Sequence, residues 1–231
     1  MDINKALTVT RSNMLVHSSY QLTLNERRLI ECGIAKIKRG STVPETIEVT
    51  AEEFASAFNI DMRNAYAELE DATDNLYEQS IEIINPEKDA RARFRWVEGV
   101  KYFDGEGRVE LDFTKWVRPY LQDLSDNYTS YRLLDIQRLN STHAMRLYEL
   151  LMQFQKTGIR RDSLHQLRRL MGVEDKYPKW IAFDRRVIRP SVENINKSSN
   201  WKVTYKTKKK GRKIDRIEFQ FHLKDQPLLD L

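Results

Sequence analysis

The sequence predicts an α+β protein made of two tandem units, each with about three helices followed by a β-hairpin. Two observations support this fold class. The spacing of apolar residues changes twice from a helical period to a period of two, first at Ile81 and again at Trp201. The length of 231 residues also suits two domains of ordinary size. Three helices followed by a two-stranded hairpin form the winged-helix variant of the helix-turn-helix unit.

Composition restricts the class of protein. With 40% hydrophobic and 32% charged residues, the chain has enough apolar side chains for a core and too many charges for a membrane protein. It lacks an apolar run of eighteen residues and the residue order of a secretory signal, so we expect a cytoplasmic protein. The single cysteine, Cys32, supplies neither an internal disulfide nor a multi-cysteine zinc site. We expect no cofactor and no bound metal.

Helix start signals organise the first unit, which follows a polar arm assigned to residues 1–22. Thr23–Glu26 and Thr50–Glu53 are capping boxes, in which the threonine accepts from an amide three residues later and the glutamate bonds back to the cap. The first box opens a helix that we expect to end at Gly40, and the second opens a short helix after an alternating strand at residues 47–49. A third helix carries Tyr66, Leu69, Leu76 and Tyr77 on one face. Strand-like alternation follows at Ile81, Ile83, Phe94, Trp96, Val109, Leu111 and Phe113.

The second unit repeats this order of elements. Ser141 is a cap for a helix with the apolar face Ala144, Leu147, Tyr148 and Leu151, and a short second helix ends at Gly172. A third helical segment extends from Lys179 to Lys197, and Pro190 either kinks it or lies in the first turn of its second part. Alternating strands at residues 201–205 and 217–223 complete the unit.

The two predicted domains differ in charge. We assign winged-helix domains to residues 23–124 and 140–223, with a connector at 125–139 and a tail at 224–231. The formal net charge of +5 divides into −7 for residues 1–130 and +12 for residues 131–231. Such an imbalance indicates a polyanionic partner for the basic half. A basic surface that only contacts solvent is the alternative.

The third helix of the basic half has the properties of a DNA-reading helix, which lies in the major groove. Its apolar face is accounted for by Trp180, Phe183, Val187 and Ile195, which leaves polar residues for the other face. Because arginine can donate two parallel hydrogen bonds to guanine, our candidate base readers are Arg185, Arg186 and Arg189, with Asn194 beside them. Lys179 and Lys197 are candidate phosphate contacts. An ordinary solvated helix face is the alternative.

The predicted hairpin tip of the second unit is strongly basic. Residues 206–213 contain six cations in eight positions, namely Lys206, Lys208, Lys209, Lys210, Arg212 and Lys213. The positive side chains of such a tip repel one another unless an anion is bound between them. Cations that neutralise DNA phosphates also release condensed counterions, which favours binding. We therefore expect these residues to contact phosphates. Protection of an edge strand by lysine explains one or two of them and hardly six.

The first unit is expected to serve another purpose. Its third helix carries Glu68, Glu70, Asp71, Asp74 and Glu78, which DNA would repel. We expect this unit to make protein–protein contacts. Lys88, Arg91, Arg93 and Arg95, in and before its hairpin, are possible auxiliary DNA contacts.

Several segments together resemble the iteron-binding plasmid replication initiators. They are Val9–Asn13, Leu22–Ile30, Arg146–Leu151, Phe183–Pro190 with Glu193–Asn196, and Lys210–Lys213 with Ile217–Phe219. The resemblance spans almost the whole chain and departs from the family at His143, where an aromatic residue is more usual.

The resemblance implies a bacterial double winged-helix initiator that binds direct repeats, called iterons, at a plasmid origin. It implies that monomers promote origin opening and recruit a host initiator and helicase. It also implies a dimer, formed through the first domain, that binds an inverted repeat and represses its own gene. The base-reading and wing residues named above correspond to its DNA-contacting segments, and a bend is tolerated at Pro190.

No catalytic site is predicted. The histidines at 17, 143, 165 and 222 are scattered singly, which excludes the metal motif of nicking initiators, and no glycine loop for nucleotide phosphates is present. We therefore expect a protein that is not an enzyme. The alternative function is a winged-helix transcriptional repressor with no replication role.

The C-terminal tail weakly resembles the peptides that bind bacterial sliding clamps. Gln226 is followed by apolar anchors at Leu228, Leu229 and Leu231, and a short extended segment after a folded domain can dock on a partner. A frayed end that folds back on the core is the alternative.

Overall fold

The computed structural model describes residues 7–85, 90–103, 105–122 and 124–225. The chain forms two compact units, unit 1 up to Gln137 and unit 2 from Arg138. In the described ranges, every helix is too short or too polar to cross a membrane.

Unit 1 contains five α-helices, a 3₁₀ turn at Arg118–Tyr120 and eight strands among its described residues. They are β1 (Thr8–Ser12), α1 (Asn13–Val16), β2 (Ser19–Tyr20), α2 (Leu24–Ala35), β3 (Ile47–Thr50), α3 (Ala51–Phe58), α4 (Met62–Glu78), β4 (Ser80–Asn85), β5 (Ala90–Arg95), β6 (Val97–Phe103), β7 (Arg108–Phe113), β8 (Tyr128–Arg132) and α5 (Leu133–Ile136).

Unit 2 consists of four α-helices, a π-helical turn and three strands in its described part. They are α6 (Thr142–Met152), β9 (Ile159–Ser163), α7 (Leu164–Leu170), α8 (Trp180–Phe183), the π turn Asp184–Ile188, α9 (Arg189–Ser198), β10 (Trp201–Lys210) and β11 (Lys213–Leu223).

The same winged-helix topology occurs in both units. In unit 1, the antiparallel sheet has the strand order β3-β7-β6, and in unit 2 the order is β10-β11-β9. Each sheet therefore joins the strand before the second helix to the hairpin that follows the third helix. The predicted fold of two tandem winged-helix units is confirmed.

Strand β9 is the element of unit 2 that the sequence pattern did not predict. Its residues pair with β11, with Arg160 opposite Phe219 and Asp162 opposite Ile217 on the face toward the core. That face is polar in sequence, so the apolar alternation that marks a half-buried strand is missing. Arg160 and Asp162 are nevertheless buried, because the guanidinium donates to both carboxylate oxygens at 2.7 and 3.0 Å.

Unit 1 adds two further sheets to the winged-helix core. One has the order β2-β4-β5, and the other pairs β1 with β8 from Thr8–Arg132 to Ser12–Tyr128. Strand β1 lies within the predicted arm, and β8 and α5 lie within the predicted connector. Both segments thus contribute regular structure to unit 1.

The capping residues of the helices agree with the sequence patterns. Both capping boxes form, at Thr23 with Glu26 and at Thr50 with Glu53, and the Ser141 hydroxyl accepts from the amide of Ala144. The end of the first long helix was predicted wrongly. Helix α2 ends at Ala35 and not near Gly40, because a 3₁₀-type turn with Lys36 donating to Gly33 closes it.

The predicted apolar face of α4 is wrong in part. Leu69 and Leu76 are buried, but Tyr66 and Tyr77 are exposed, and small side chains complete the buried stripe at Ala65, Ala72 and Thr73. Alanines allow α4 to approach its neighbours closely, and the tyrosines are left at the edges of the stripe.

A buried ionic cluster joins four elements of unit 1, namely β1, β2, α2 and β8. Glu31 of α2 accepts hydrogen bonds from Arg11 of β1 at 2.5 Å and from Tyr131 of β8 at 3.0 Å. Arg27 lies one helical turn from Glu31, at 3.7 Å, and donates to the hydroxyl of Tyr20. All five side chains are buried. One carboxylate therefore compensates two buried guanidinium groups and fixes the β1–β8 pair on α2.

We expect Glu31→Gln to lower the free energy of unfolding of unit 1 by about 3 kcal/mol, because it removes the buried negative charge that lies against two buried arginines. Urea denaturation followed by circular dichroism measures this change. Glu52→Gln, which alters an exposed glutamate of α3, is the matched control and should leave the transition unchanged. Equal effects of the two substitutions would contradict a structural role for the cluster.

Candidate nucleic-acid interface

Three consecutive segments, α8, the π turn and α9, together form the helix that follows α7 in unit 2. We call this whole segment, Trp180–Ser198, the third helix. Its inner face is formed by Phe183, Val187, Ile188, Val192 and Ile195, all of them buried. Its outer face is solvent-exposed and mostly polar, as the sequence pattern indicated, with Ile181 as an apolar exception.

The π turn explains how the third helix passes Pro190. The amide of Arg189 donates to the carbonyl of Asp184, five residues earlier. Proline has no amide hydrogen, and its ring would clash with the carbonyl four residues before it in a regular α-helix. The wider turn precedes this position, and Pro190 lies in the first turn of α9. Of the two alternatives left open by the sequence, the second describes the structure.

Two polar contacts attach the third helix to β10. The carboxylate of Asp184 accepts a short hydrogen bond from the hydroxyl of Tyr205. Eight residues beyond the π segment, the side-chain amide of Asn196 pairs with the backbone of Val203, accepting from its N–H at 2.6 Å and donating to its carbonyl at 2.9 Å. The helix is thus held near both of its ends to the strand that leads into the wing.

Electrostatics keeps the Asp184 contact intact at neutral pH. Burial, and next the hydrogen bond to Asp184, raise the pKa of Tyr205 to about 12, so the phenol retains the proton that it donates. Arg189 donates to the other carboxylate oxygen of Asp184 at 2.6 Å. Arg189 is 60% exposed, so it is anchored at one nitrogen while the rest of its guanidinium faces solvent.

The predicted base readers differ in their surroundings. Arg185 is exposed and has no hydrogen-bond or ionic partner among the described residues. Arg186 is exposed, and its guanidinium lies 5.9 Å from the ring centre of Tyr177. The structure uses Asn194 inside unit 2, where its side-chain oxygen accepts from the amide of Asn140 at 3.1 Å and its nitrogen lies 3.4 Å from the Ser198 hydroxyl. Asn194 therefore has a structural role.

Ile181 is a surface feature that the sequence pattern did not single out. It lies at the start of the third helix and is 77% exposed. Residues at the N-terminal end of such a helix contact base edges, and an apolar side chain there can contact the methyl group of thymine. The sequence does indicate this residue, because the helical period places Ile181 on the solvent-facing side of the helix, where an isoleucine is unusual.

The wing is formed by β10 and β11, with a register shift between Lys208 and Lys209. Its tip turns at Gly211, where φ is +62°, a conformation that favours glycine. The predicted phosphate contacts at the tip are all exposed, namely Lys209, Lys210, Arg212 and Lys213. Lys179 and Lys197 of the third helix are exposed as well.

The outer face of the unit 2 sheet carries an ion cluster centred on Glu218. This buried carboxylate accepts from Arg161 of β9 at 2.7 Å and lies 2.9 Å from the Lys206 ammonium. These two cations lower the pKa of Glu218 from its ordinary 4.5 to about 2. Lys206 was predicted from the wing sequence. Arg161 was missed, because only the pairing of β9 with β11 places it beside the wing.

In unit 1, the helix equivalent in topology to the third helix is α4, and its surface is acidic. Glu70, Asp71 and Asp74 are exposed along it, and Glu78 pairs with Arg95 at 2.8 Å. Arg91 lies 3.8 Å from Glu82, while Arg93 is exposed on the same face of β5. Lys88 lies outside the described residues.

Both units match models of known protein families. A family model described as Initiator Replication protein, WH1, matches residues 8–152, and one described as Initiator Rep protein, WH2, matches residues 163–221. The chain belongs to the initiator replication protein family. The resemblance found in the sequence segments is therefore confirmed. The WH1 match covers unit 1 and extends into α6 of unit 2, and the WH2 match covers α7 to Phe221 of β11.

Two relatives from Escherichia coli match nearly the whole initiator. One, named Replication initiation protein, is 29% identical over 95% of this chain and 71% of its own length. The other, named PI protein, is 25% identical over 96% of this chain and 84% of its own length. A crystal structure of the Pi initiator protein in complex with iteron DNA matches 97% of this chain and 100% of its own with a TM-score of 0.84 and 22% identity. That likeness establishes the fold.

Two expectations concern sites away from the third helix and the wing. The tail residues Gln226, Leu228, Leu229 and Leu231 lie outside the described residues. Within the described ranges, histidine, cysteine, aspartate and glutamate side chains form no group of three or more suited to a metal ion.

We expect the Glu218 carboxyl of the initiator to titrate near pH 2. Its depressed pKa means that the ion cluster stabilises the folded state above pH 4.5, and that this contribution is lost as the pH falls from 4.5 toward 2. Carbon-13 NMR of labelled glutamate measures the midpoint. Arg161→Ala should move it upward, whereas Lys202→Ala, on the same strand face as Lys206, should not. A midpoint that Arg161→Ala leaves in place would show that the pair does not form.

Proposed function

We propose that this chain is a plasmid replication initiator that binds origin direct repeats, or iterons, sequence-specifically through unit 2. The observation that carries the proposal is the basic surface formed by the third helix and the wing, which Asp184 and Asn196 attach to each other. The family supports a role in replication initiation. The related Pi initiator, crystallised in complex with iteron DNA, supports the class of ligand.

Base reading is assigned to the exposed side chains near the start of the third helix. Arg185 and Arg186 are proposed to donate to guanine edges, and Ile181 to contact thymine methyl groups. Arg189 reads a base or an adjacent phosphate with the part of its guanidinium that Asp184 leaves open. Asn194 is left out of the reading set, because its amide is used within unit 2.

Phosphate binding is assigned to the cations around the reading helix. They are Lys179 and Lys197 on the helix, and Lys206, Lys208, Lys209, Lys210, Arg212 and Lys213 on the wing. Such contacts fix the register of a protein on DNA and make its affinity depend on salt. In unit 1, Arg91 and Arg93 are proposed auxiliary backbone contacts. Arg91 is highly exposed and lies 3.8 Å from Glu82, whereas Arg95 is held more closely by Glu78, at 2.8 Å.

The remaining functions are assigned to unit 1 and the tail. We propose that unit 1 forms a dimer that binds an inverted repeat and represses the initiator's own gene, since the acidic surface of α4 is unsuited to a DNA groove. Monomers would open the origin and recruit a host initiator and helicase in the bacterial cytoplasm, without enzymatic activity. The tail would dock on the sliding clamp.

Direct and inverted repeats distinguish an initiator from a repressor without a replication role. We expect the protein to retard a duplex with tandem direct repeats in a gel-shift assay at low concentration, where monomers dominate. It should bind an inverted repeat more strongly as its concentration rises. A protein that binds only the inverted repeat at every concentration would be a repressor, contrary to the proposal.

Arg186→Ala and Lys209→Ala should have different effects on DNA binding. Loss of a bidentate contact to guanine should cost about 1–3 kcal/mol on the preferred repeat and little on other sequences. Loss of a phosphate contact should weaken binding to all sequences and reduce the slope of log affinity against log salt by about 0.9. Fluorescence anisotropy with repeat and random duplexes measures both. The assigned roles fail if the two variants lose affinity in the same pattern.

A further inference from the structure

The outer face of the unit 2 sheet is lined by six side chains in two rows. Antiparallel pairing places Lys208, Arg216 and Ser163 side by side across β10, β11 and β9, and places Lys206, Glu218 and Arg161 side by side in the next row. The rows are two residues apart along each strand, which is about 7 Å. We call this arrangement the sheet cleft. It borders an open space of about 300 Å³ that Gln166 of α7 also lines, and Lys206 lies beside this space.

The sheet cleft has more positive charge than its own carboxylates balance. Glu218 is shared by Arg161 and Lys206, and its two oxygens are occupied by them. Arg216 lies 3.6 Å from Asp215 at an exposed position, which screens it weakly. Lys208 is exposed and has no anionic partner in the described part of the chain. Three cations, Arg161, Lys208 and Arg216, therefore border the cleft, and its two carboxylates are engaged, Glu218 by Arg161 and Lys206 and Asp162 by Arg160.

Hydrogen-bond donors around the sheet cleft suit an oxyanion. Arginine presents a planar set of donors that matches phosphate oxygens, and lysine adds a point charge. The hydroxyl oxygen of Ser163 accepts from the amide of Gln166 at 3.1 Å, which leaves the hydroxyl hydrogen available to donate. Glu218 holds Arg161 and Lys206 in place, so the donors that remain for an anion are concentrated in the other row, at Lys208, Arg216 and the Ser163 hydroxyl.

We propose that the sheet cleft binds a phosphodiester group of the DNA backbone, so that one strand of the bound DNA follows the outer face of the wing toward α7. This inference rests on the proposed function and adds Arg161, Arg216 and Ser163 to the DNA contacts. Continuity favours DNA over a separate anion. Lys208 lies at the register shift, and the exposed cations of the wing tip begin at the next residue.

The first test compares salt dependence on a random-sequence duplex, so that it does not depend on iteron recognition. Arg216→Ala should reduce the slope of log affinity against log salt by about 0.9, so the affinity lost between 50 and 200 mM salt becomes about 3.5-fold smaller than for the wild-type protein. Arg216→Lys should retain the wild-type slope. Lys202→Ala, which removes an exposed lysine from the same face of β10 outside the cleft, is the matched control.

The second test locates the phosphate. In a repeat duplex, each phosphate in turn is replaced by a neutral methylphosphonate. At one position the replacement should weaken binding by the wild-type protein and by Lys202→Ala, but not by Arg216→Ala, which has already lost that contact. Circular dichroism verifies that the variants are folded.

The outcomes separate this inference from the proposed function. If the wild-type protein shows no preference for direct repeats while Arg216→Ala still lowers the slope on random DNA, the sheet cleft binds DNA and the iteron proposal fails. If the preference is present but the slope of Arg216→Ala equals that of the wild-type protein, the cleft proposal fails. Binding of inorganic phosphate in the cleft, monitored by NMR of Arg216, with an unchanged DNA slope in Arg216→Ala, would assign the cleft to a free anion and also overturn it.

Discussion

The carboxylate of Asp184 is the contact on which the geometry of unit 2 depends. It lies in the π turn of the third helix, is 7% exposed, and accepts from Tyr205 of β10 and from Arg189 of α9. A buried carboxylate is unfavourable unless its oxygens are fully hydrogen-bonded. Helix and strand must therefore keep the separation that satisfies it. Together with the Asn196–Val203 pair, this contact fixes the exposed arginines of the helix relative to the lysines of the wing.

Both units use buried charge pairs where an apolar contact would also have filled the space. Glu31 compensates two arginines in unit 1, and in unit 2 Arg160 donates to Asp162 while Arg146 donates to Glu149 at 2.6 Å. Such pairs add little to stability compared with apolar replacements, but one geometry alone satisfies them. They also make the inner face of strands such as β9 polar. The alternation of apolar residues that identifies a half-buried strand is therefore missing from the sequence of these strands.

One fold carries opposite charges in the two units. Helix α4 of unit 1 is acidic and the third helix of unit 2 is basic, although each belongs to a unit whose three-stranded sheet has the same order of strands. Topology is set by the buried faces, and the exposed faces are unconstrained by it. The division of labour that we propose, protein contacts in unit 1 and DNA contacts in unit 2, follows from surface chemistry alone.

The sequence by itself determined the helices with capping boxes, the strands of the wing, the duplicated winged-helix pattern and the basic surface of unit 2. These features depend on neighbours in sequence, through caps, apolar periods and runs of charge. The tertiary structure alone decided which polar residues are used internally. Asn194 bonds to Asn140, and Arg161 reaches Glu218 from a strand 57 residues away in the chain. Contacts of that kind are set by cross-strand pairing and helix packing, and no local pattern records them.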